Sequence, residues 1–139
     1  MTAMADPAYL ELIALTYIDA LLTADDSKVS FTKDVKRAHL MVLPGGPQVW
    51  QMTEGADTIR ADIRRERLTA CRGLRVTVDA ERSTVVALWE SAMDYDGARV
   101  ITIMDRFVIK DGMIAELEII SIPQGQSFEH VPNRGWPGG

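Results

Sequence analysis

The sequence predicts one α+β domain in which a curved sheet wraps N-terminal helices and leaves a cone-shaped cavity. Apolar residues recur at helical spacing in residues 7–23, and a second helical pattern covers residues 54–67. From residue 74 onward, alternating apolar and polar residues separated by short turns indicate a long antiparallel meander. Helices followed by a meander are typical of α+β folds, and such a cavity suits a small apolar ligand. The 139 residues are expected to form a single domain, with a core at about 8–122 and an irregular tail at 123–139.

The first helix has a clear start signal. Asp6 is a favoured N-cap residue, and Pro7 follows in the first helical position. The apolar positions then recur at helical spacing: Tyr9, Leu10, Ile13, Ala14, Tyr17, Ile18, Leu21 and Leu22. The pattern ends near Thr23, before the polar stretch 24–27.

The next segment predicts a hairpin between the two helices. Residues 37–43 are predicted to form a strand, residues 44–47 (Pro-Gly-Gly-Pro) a turn, and residues 48–52 a short returning strand. A short helical or turn segment is expected before the first strand, carrying Val29, Phe31 and Val35.

The second helix and the meander complete the pattern. Thr53 is predicted to cap a helix over residues 54–67, with Ile59 and Ile63 on its buried side. The strands of the meander are predicted at residues 74–78, 84–94, 98–110 and 113–122. Asp111-Gly112 between the last two strands is a strong hairpin signal.

Asp105 is the most informative single residue, because it interrupts an apolar strand face. Residues 100–109 alternate, so Asp105 shares one side with Ile103 and Phe107. Burying an ionised carboxylate there costs several kcal/mol unless it is paired, hydrogen-bonded or protonated. Two interpretations stay open from the sequence: a functional buried acid, or a carboxylate that a strand bulge carries to solvent.

Composition limits the classes of partner. The formal net charge is −5 and the pI about 5.0, whereas nucleic acids and anionic membranes bind basic surfaces, so neither is expected as a partner. Cys71 is the single cysteine, which excludes an internal disulfide and fits a reducing, cytoplasmic environment. With two histidines and no Cys/His cluster, no metal site is expected. The acidic residues Asp6, Glu11 and Asp19 interrupt the N-terminal apolar stretch, so neither a signal peptide nor a membrane span is expected.

Three stretches resemble the nuclear-transport-factor-two-like superfamily, which includes ketosteroid isomerases and SnoaL-like polyketide cyclases. They are residues 17–21 (YIDAL), residues 31–39 (FTKDVKRAH) and residues 105–114 (DRFVIKDGMI), the last close to a recurring D-x-F-x-x-x-D-G-x-I hairpin. The resemblance spans roughly residues 8–122. It implies a cone-shaped α+β barrel, general acid–base chemistry without a cofactor, and a homodimer formed through the sheet.

Three catalytic positions are implied by the resemblance to ketosteroid isomerases. Tyr17 falls at the position of the oxyanion-hole tyrosine, and Asp105 falls at the position of a protonated aspartic acid. Ketosteroid isomerase is itself the known example of an enzyme that holds a carboxylic acid neutral. His39 falls where that family has its aspartate base, which is a departure that puts steroid isomerase activity itself in doubt. Asp105 is expected either to donate beside Tyr17 or, if ionised, to orient His39.

Several residues are expected to line the cavity and contact the substrate: Trp50, Ile103, Phe107, Leu117 and Ile119. For Trp50 and Phe107 the alternative is ordinary packing in the core or at a dimer contact, and for Trp89 that alternative is favoured. Glu116 and Glu118 alternate with apolar residues and are expected to face solvent or a partner subunit.

The function expected from these observations is that of a cofactor-independent enzyme acting on a small apolar, aromatic or polycyclic, substrate. Its reaction is expected to be proton abstraction with oxyanion stabilisation, as in an isomerase, cyclase, carbon–carbon lyase or dehydratase. The alternative is a non-catalytic ligand-binding or dimerisation module, because this fold also carries proteins without catalytic activity.

Overall fold

The computed structural model describes residues 5–42, 47–93 and 99–124. The helices and strands of this part are α1 (Pro7–Thr23), β1 (Phe31–Val42), β2 (Gln48–Glu54), α2 (Ala56–Arg64), β3 (Arg72–Asp79), β4 (Thr84–Met93), β5 (Arg99–Lys110) and β6 (Met113–Pro123). The strands form one open, curved sheet in the order β2-β1-β6-β5-β4-β3. β1 is parallel to β6, and the other neighbours are antiparallel. The predicted α+β class and curved sheet are therefore confirmed.

Helix α1 begins and ends as predicted. The Asp6 carboxylate accepts the backbone N–H of Ala8 at 3.0 Å, and Pro7 occupies the first turn. The helix stops at Thr23 because Ala24 adopts a left-handed conformation, with φ of 53°. The residues that α1 buries are Leu10, Ala14, Tyr17, Ile18, Ala20 and Leu21.

The segment around Phe31 and Val35 is a strand, so the prediction of a short helix or turn there is wrong. β1 starts at Phe31, and its register against β6 shifts between Phe31 and Lys36. This irregularity places the buried residues Phe31, Val35 and Arg37 at spacings of four and then two. A spacing of four resembles helical periodicity, which explains the error.

Helix α2 is shorter than predicted, and Thr53 does not cap it. β2 continues through Thr53 to Glu54, and Gly55 precedes the helix with φ of 95° and no side-chain cap. Ile59 and Ile63 are buried as expected. The helix ends at Arg64, after which the N–H of Arg65 donates to the carbonyl of Asp62 and the N–H of Glu66 to the carbonyl of Ile63, both at 3.1 Å.

The meander follows the predicted order. Asp111 and Gly112 both have positive φ, 53° and 76°, which matches the primed turn that an Asp-Gly pair favours. β3 begins two residues earlier than predicted, at Arg72. The predicted turns at 44–47 and 95–97 and the tail after residue 124 lie outside the described residues, apart from Pro47.

Helix α2 is tied to the α1–β1 connection by Arg60. Its guanidinium donates to the backbone carbonyl of Val29 at 2.7 Å and to the Asp26 carboxylate at 3.1 Å. It also lies over the Phe31 ring, 5.2 Å from the centroid. Arg64 donates to the same carboxylate at 3.1 Å. These contacts fix α2 beside the concave face of the sheet, where the candidate site lies.

Candidate active site

One row of directly paired residues crosses the concave face of the sheet and contains two of the predicted catalytic residues. Its members, from β2 to β4, are Gln51, His39, Ile119, Asp105 and Ala87. Directly paired residues project to the same face of a sheet. His39 and Asp105 therefore point to the same side, with the strand that carries Ile119 between them.

The Asp105 carboxyl group is sealed in the interior. The residue is 0% exposed, and its register is regular on both sides, so the alternative of a bulge that carries it to solvent is wrong. The indole N–H of Trp89 donates to Oδ2 at 2.8 Å, whereas Oδ1 has no hydrogen-bond partner. Burial raises the pKa of the carboxyl to about 7, and the bond from Trp89 opposes that rise. Asp105 therefore exists largely as the neutral acid below neutral pH.

Tyr17 packs against Phe107, which lies two residues from this acid on the same face of β5. It is buried on α1, and its ring packs edge-on against Phe107 with centroids 5.3 Å apart and an interplanar angle of 73°. Burial raises the pKa of the Tyr17 phenol well above its ordinary value, and the negative charge of ionised Asp105 raises it further. The structure thus brings together Tyr17 and Asp105 as two neutral groups in an apolar interior.

His39 is half-buried and has a different partner from the one the sequence suggested. Its Nε2 lies 2.7 Å from Oγ of Ser121, on the neighbouring strand β6. Two strand spacings separate the backbone of His39 from that of Asp105, about 9.6 Å, so Ile119 stands between them. Burial, and then the Arg37 charge, lower the pKa of the imidazole to about 4. Asp105 is therefore not the group that orients His39; Ser121 is.

Arg37 belongs to the same concave face, and sequence reasoning missed its role. The side chain is buried, at 6% exposure, and Nη2 donates to Asp62 Oδ2 at 2.6 Å and to Thr53 Oγ1 at 3.1 Å. Its Nε has no partner. Glu66, just after α2, is half-buried, and burial raises the pKa of its carboxyl. Hydrogen-bonded polar groups on β1, β2 and α2 therefore border the site beside His39.

The residues predicted to line the cavity separate into two groups. Ile103, Phe107, Leu117 and Ile119 are buried on the concave face with Asp105. Trp50 is 59% exposed and pairs directly with Leu40, the residue after His39 on β1. Because neighbouring residues of a strand point to opposite faces, Trp50 lies on the convex face and does not line the predicted cavity. Trp89 is a core residue, as favoured, and is also the donor to Asp105.

The other chemistry-bearing residues lie away from this face. Glu116 and Glu118 are exposed, as predicted, and Arg106 pairs with Glu118 on the convex side. Among the described residues, no group of three or more His, Cys, Asp or Glu side chains is arranged to hold a metal ion. No described helix is both long enough and apolar enough to cross a membrane.

Comparison with solved structures confirms the fold. The chain is similar to a protein of unknown function with a cystatin-like fold from Methylobium petroleophilum PM1, with 17% identity, a TM-score of 0.67, and coverage of 94% of this chain and 86% of that one. It is also similar to an NTF2-like protein of unknown function from Cytophaga hutchinsonii, at 15% identity, a TM-score of 0.60, and coverage of 86% and 92%. A third similar structure is a candidate polyketide cyclase from Xanthomonas campestris pv. campestris, with 19% identity, a TM-score of 0.60, and coverage of 84% and 92%.

These likenesses show that the chain shares the fold of nuclear-transport-factor-two-like proteins, as its motifs suggested. At this level of identity they establish the fold and not the reaction. Residues 5–121 match a family model described as Domain of unknown function (DUF8021). No curated protein sequence matches the chain.

The burial of Asp105 predicts an unusual dependence of stability on pH. Its pKa of about 7 when folded lies above the value of about 3.9 in an unfolded chain, so between these values the folded state holds a proton that the unfolded state has lost. Stability therefore falls as pH rises from about 4 to about 7, by roughly 4 kcal/mol in total. The measurement is the free energy of unfolding in urea at several pH values, for the wild type and Asp105→Asn.

The difference between the two proteins isolates Asp105, because both retain His39. The lowered pKa of His39 makes stability rise between about pH 4 and 6.5 in both proteins. This contribution is the same in each and therefore cancels in the difference. A difference that stays constant over this range would show that Asp105 ionises normally.

Proposed function

This chain belongs to the family described as Domain of unknown function (DUF8021), and we propose that it is a cofactor-independent enzyme acting by general acid–base chemistry. Its substrate is a small apolar, aromatic or polycyclic, molecule that carries a carbonyl or enol oxygen. The reaction is proton abstraction next to that oxygen, leading to isomerisation, ring closure or carbon–carbon cleavage. The candidate polyketide cyclase of similar fold is in keeping with this class of chemistry.

The observation that carries the proposal is the unpartnered oxygen of Asp105. Because Oδ2 accepts from Trp89, the proton of the neutral acid resides on Oδ1, which then presents an O–H donor without an acceptor. An unsatisfied buried polar group costs about 1–3 kcal/mol, a cost that an apolar residue at this position would remove. A ligand oxygen bound at Oδ1 supplies the missing acceptor, and we assign the Tyr17 phenol, whose ring packs on Phe107, as the second donor.

His39 is the proton acceptor in this mechanism. It is uncharged at neutral pH and lies in the same concave row, nearer the open edge formed by β1 and β2. The imidazole takes a proton from the substrate carbon, and the electron pair of the broken C–H bond moves onto the carbonyl oxygen as an enolate. Hydrogen bonds from Asp105 and Tyr17 stabilise that oxygen, each by about 2.7–4 kcal/mol by analogy with other oxyanion donors. Return of the proton to a different carbon completes an isomerisation.

Entry of a ligand requires apolar side chains to move. Asp105 and Phe107 are fully buried, and Ile103 and Ile119 nearly so, so the interior around the acid is filled. This filling favours the second candidate function, a non-catalytic association module that binds a small ligand or a second copy of the chain. The two candidates differ in one respect, which is whether a bound carbonyl compound exchanges protons.

Binding and proton exchange can be measured with a panel of aromatic ketones, phenols and steroids. We expect members of the panel to raise the melting temperature of the wild type. Tyr17→Phe and Asp105→Leu each remove one donor and should weaken binding about tenfold, whereas Asp105→Asn keeps an N–H donor at this position and should bind more nearly normally. Tyr9→Phe is the matched control, since Tyr9 lies on the same helix but is half exposed, and it should bind normally.

Turnover is followed by the incorporation of deuterium from D₂O into a bound ketone, measured by NMR. His39→Gln should bind the ketone but lose the exchange. Binding without exchange in the wild type would support the association module instead. A panel in which no compound shifts the melting temperature would contradict both small-ligand proposals.

We further propose that the convex face forms a homodimer. A directly paired apolar row crosses this face: Trp50, Leu40, Ile120, Met104 and Leu88. Trp50 and Met104 remain 59% and 39% exposed in the single chain. The same face of a second copy is complementary to such a row, because a two-fold axis sets the apolar stripe against itself. Burying it removes apolar surface from water.

The dimer predicts a specific effect of charge on oligomeric state. Met104→Glu places a carboxylate in the middle of the row and should convert a dimer to a monomer in sedimentation equilibrium. Thr77→Glu, at an exposed position on the far edge strand β3, is the control and should remain dimeric. A wild type that sediments as a monomer at high concentration would refute the dimer.

A further inference from the structure

Arg37 is a buried cation next to the imidazole that the proposed mechanism uses as its base. It precedes His39 by two residues on the same face of β1, which separates their Cα atoms by about 6.6 Å. Its guanidinium is almost fully buried and is held by Asp62 and Thr53, with Nε left without a partner. Such a side chain cannot swing into solvent, so its charge stays fixed beside His39.

We propose that Arg37 is a positioning residue for His39, whose fixed charge keeps the imidazole uncharged and thus available as a proton acceptor in mildly acidic solution. This inference rests on the proposed function, in which His39 takes the proton. Arg37 acts through its field and needs no contact with the substrate.

Among the described residues, the groups that face His39 from the neighbouring strands and α1 carry little negative charge in acid to oppose this positive charge. On β6 its hydrogen-bond partner is the neutral hydroxyl of Ser121, and on β2 it faces the uncharged Gln51. On β5, Asp105 is one strand further away, and burial raises the pKa of its carboxyl to about 7, so it carries little charge in acid. Tyr17 on α1 is neutral because burial raises the pKa of its phenol.

Two further carboxyl groups lie on the α2 side of Arg37. The Asp62 carboxylate lies 2.6 Å from Nη2 of Arg37, and it also pairs with Arg65 at 2.6 Å. Because Asp62 is shared with Arg65 and is partly exposed, it neutralises the Arg37 charge only in part. Glu66 is half-buried, and burial raises the pKa of its carboxyl. In support, burial and then Arg37 lower the pKa of His39 to about 4.

The test is an NMR titration of the His39 ring protons, which needs no substrate. A His130→Gln background leaves a single imidazole signal, because the chain has two histidines. We expect a midpoint of about 4 in the otherwise unchanged protein. Arg37→Met should raise it by about one pH unit, the effect of one charge at about 10 Å in an effective dielectric of about 20.

Matched variants separate charge from packing. Arg37→Lys keeps the charge, and Thr53→Val keeps it while removing one hydrogen bond to the guanidinium, so both should leave the midpoint near 4. In Arg37→Met, the Asp62 carboxylate still pairs with Arg65, so it is not left without a cation. If this variant does not fold, Arg37→Met/Asp62→Asn removes both charges, and its midpoint should rise by a smaller amount.

Three results would overturn the inference: a starting midpoint near 6.5, an unchanged midpoint in both variants without Arg37, or an equal rise in Arg37→Lys. These outcomes are independent of catalysis. A raised midpoint together with normal proton exchange in His39→Gln would remove the proposed function while leaving the control of His39 by Arg37 in place.

Discussion

A carboxyl group with no access to water sets the organisation of this interior. Asp105 receives one hydrogen bond, from the Trp89 indole, and burial raises the pKa of its carboxyl to about 7, so the group is largely protonated below neutral pH. Tyr17 is buried near the same group and shares its neutral state. His39, by contrast, lies two strands away from Asp105, on β1 next to the edge strand β2. The groups proposed to hold the substrate oxygen and to accept the proton are therefore spatially separate, and a substrate of the proposed mechanism must span Ile119 to reach both.

Much of the fold could be predicted because its signals are local. The first helix has its cap and proline in adjacent positions, and Asp111-Gly112 specifies a hairpin through the positive φ that both residues adopt. The alternation that marked Asp105 as inward-facing held along β5. The start of β1 could not be predicted in the same way. Its irregular register against β6, a strand about 80 residues later, changes the spacing of the buried residues.

The candidate site was only partly predictable, because its hydrogen bonds join distant elements. The sequence and its family resemblance indicated Tyr17, His39 and Asp105, but not which of them meet. Ser121 could have been noticed as a polar residue that continues the inward-facing alternation of β6, although its bond to His39 depends on the parallel pairing of two strands. The Arg37–Asp62 pair likewise depends on where α2 packs. Such contacts follow from register and helix placement, which periodicity does not encode.

The most direct test of the central claim is the ionisation state of the Asp105 carboxyl itself. Carbon-13 NMR of the side-chain carboxyl, assigned by the loss of its signal in Asp105→Asn, follows that group alone through a pH titration. The structure predicts a midpoint near 7, with the acid still protonated at pH 5. A midpoint near 4 would show an ordinary ionised carboxylate, and the neutral donor on which the proposed chemistry depends would not exist.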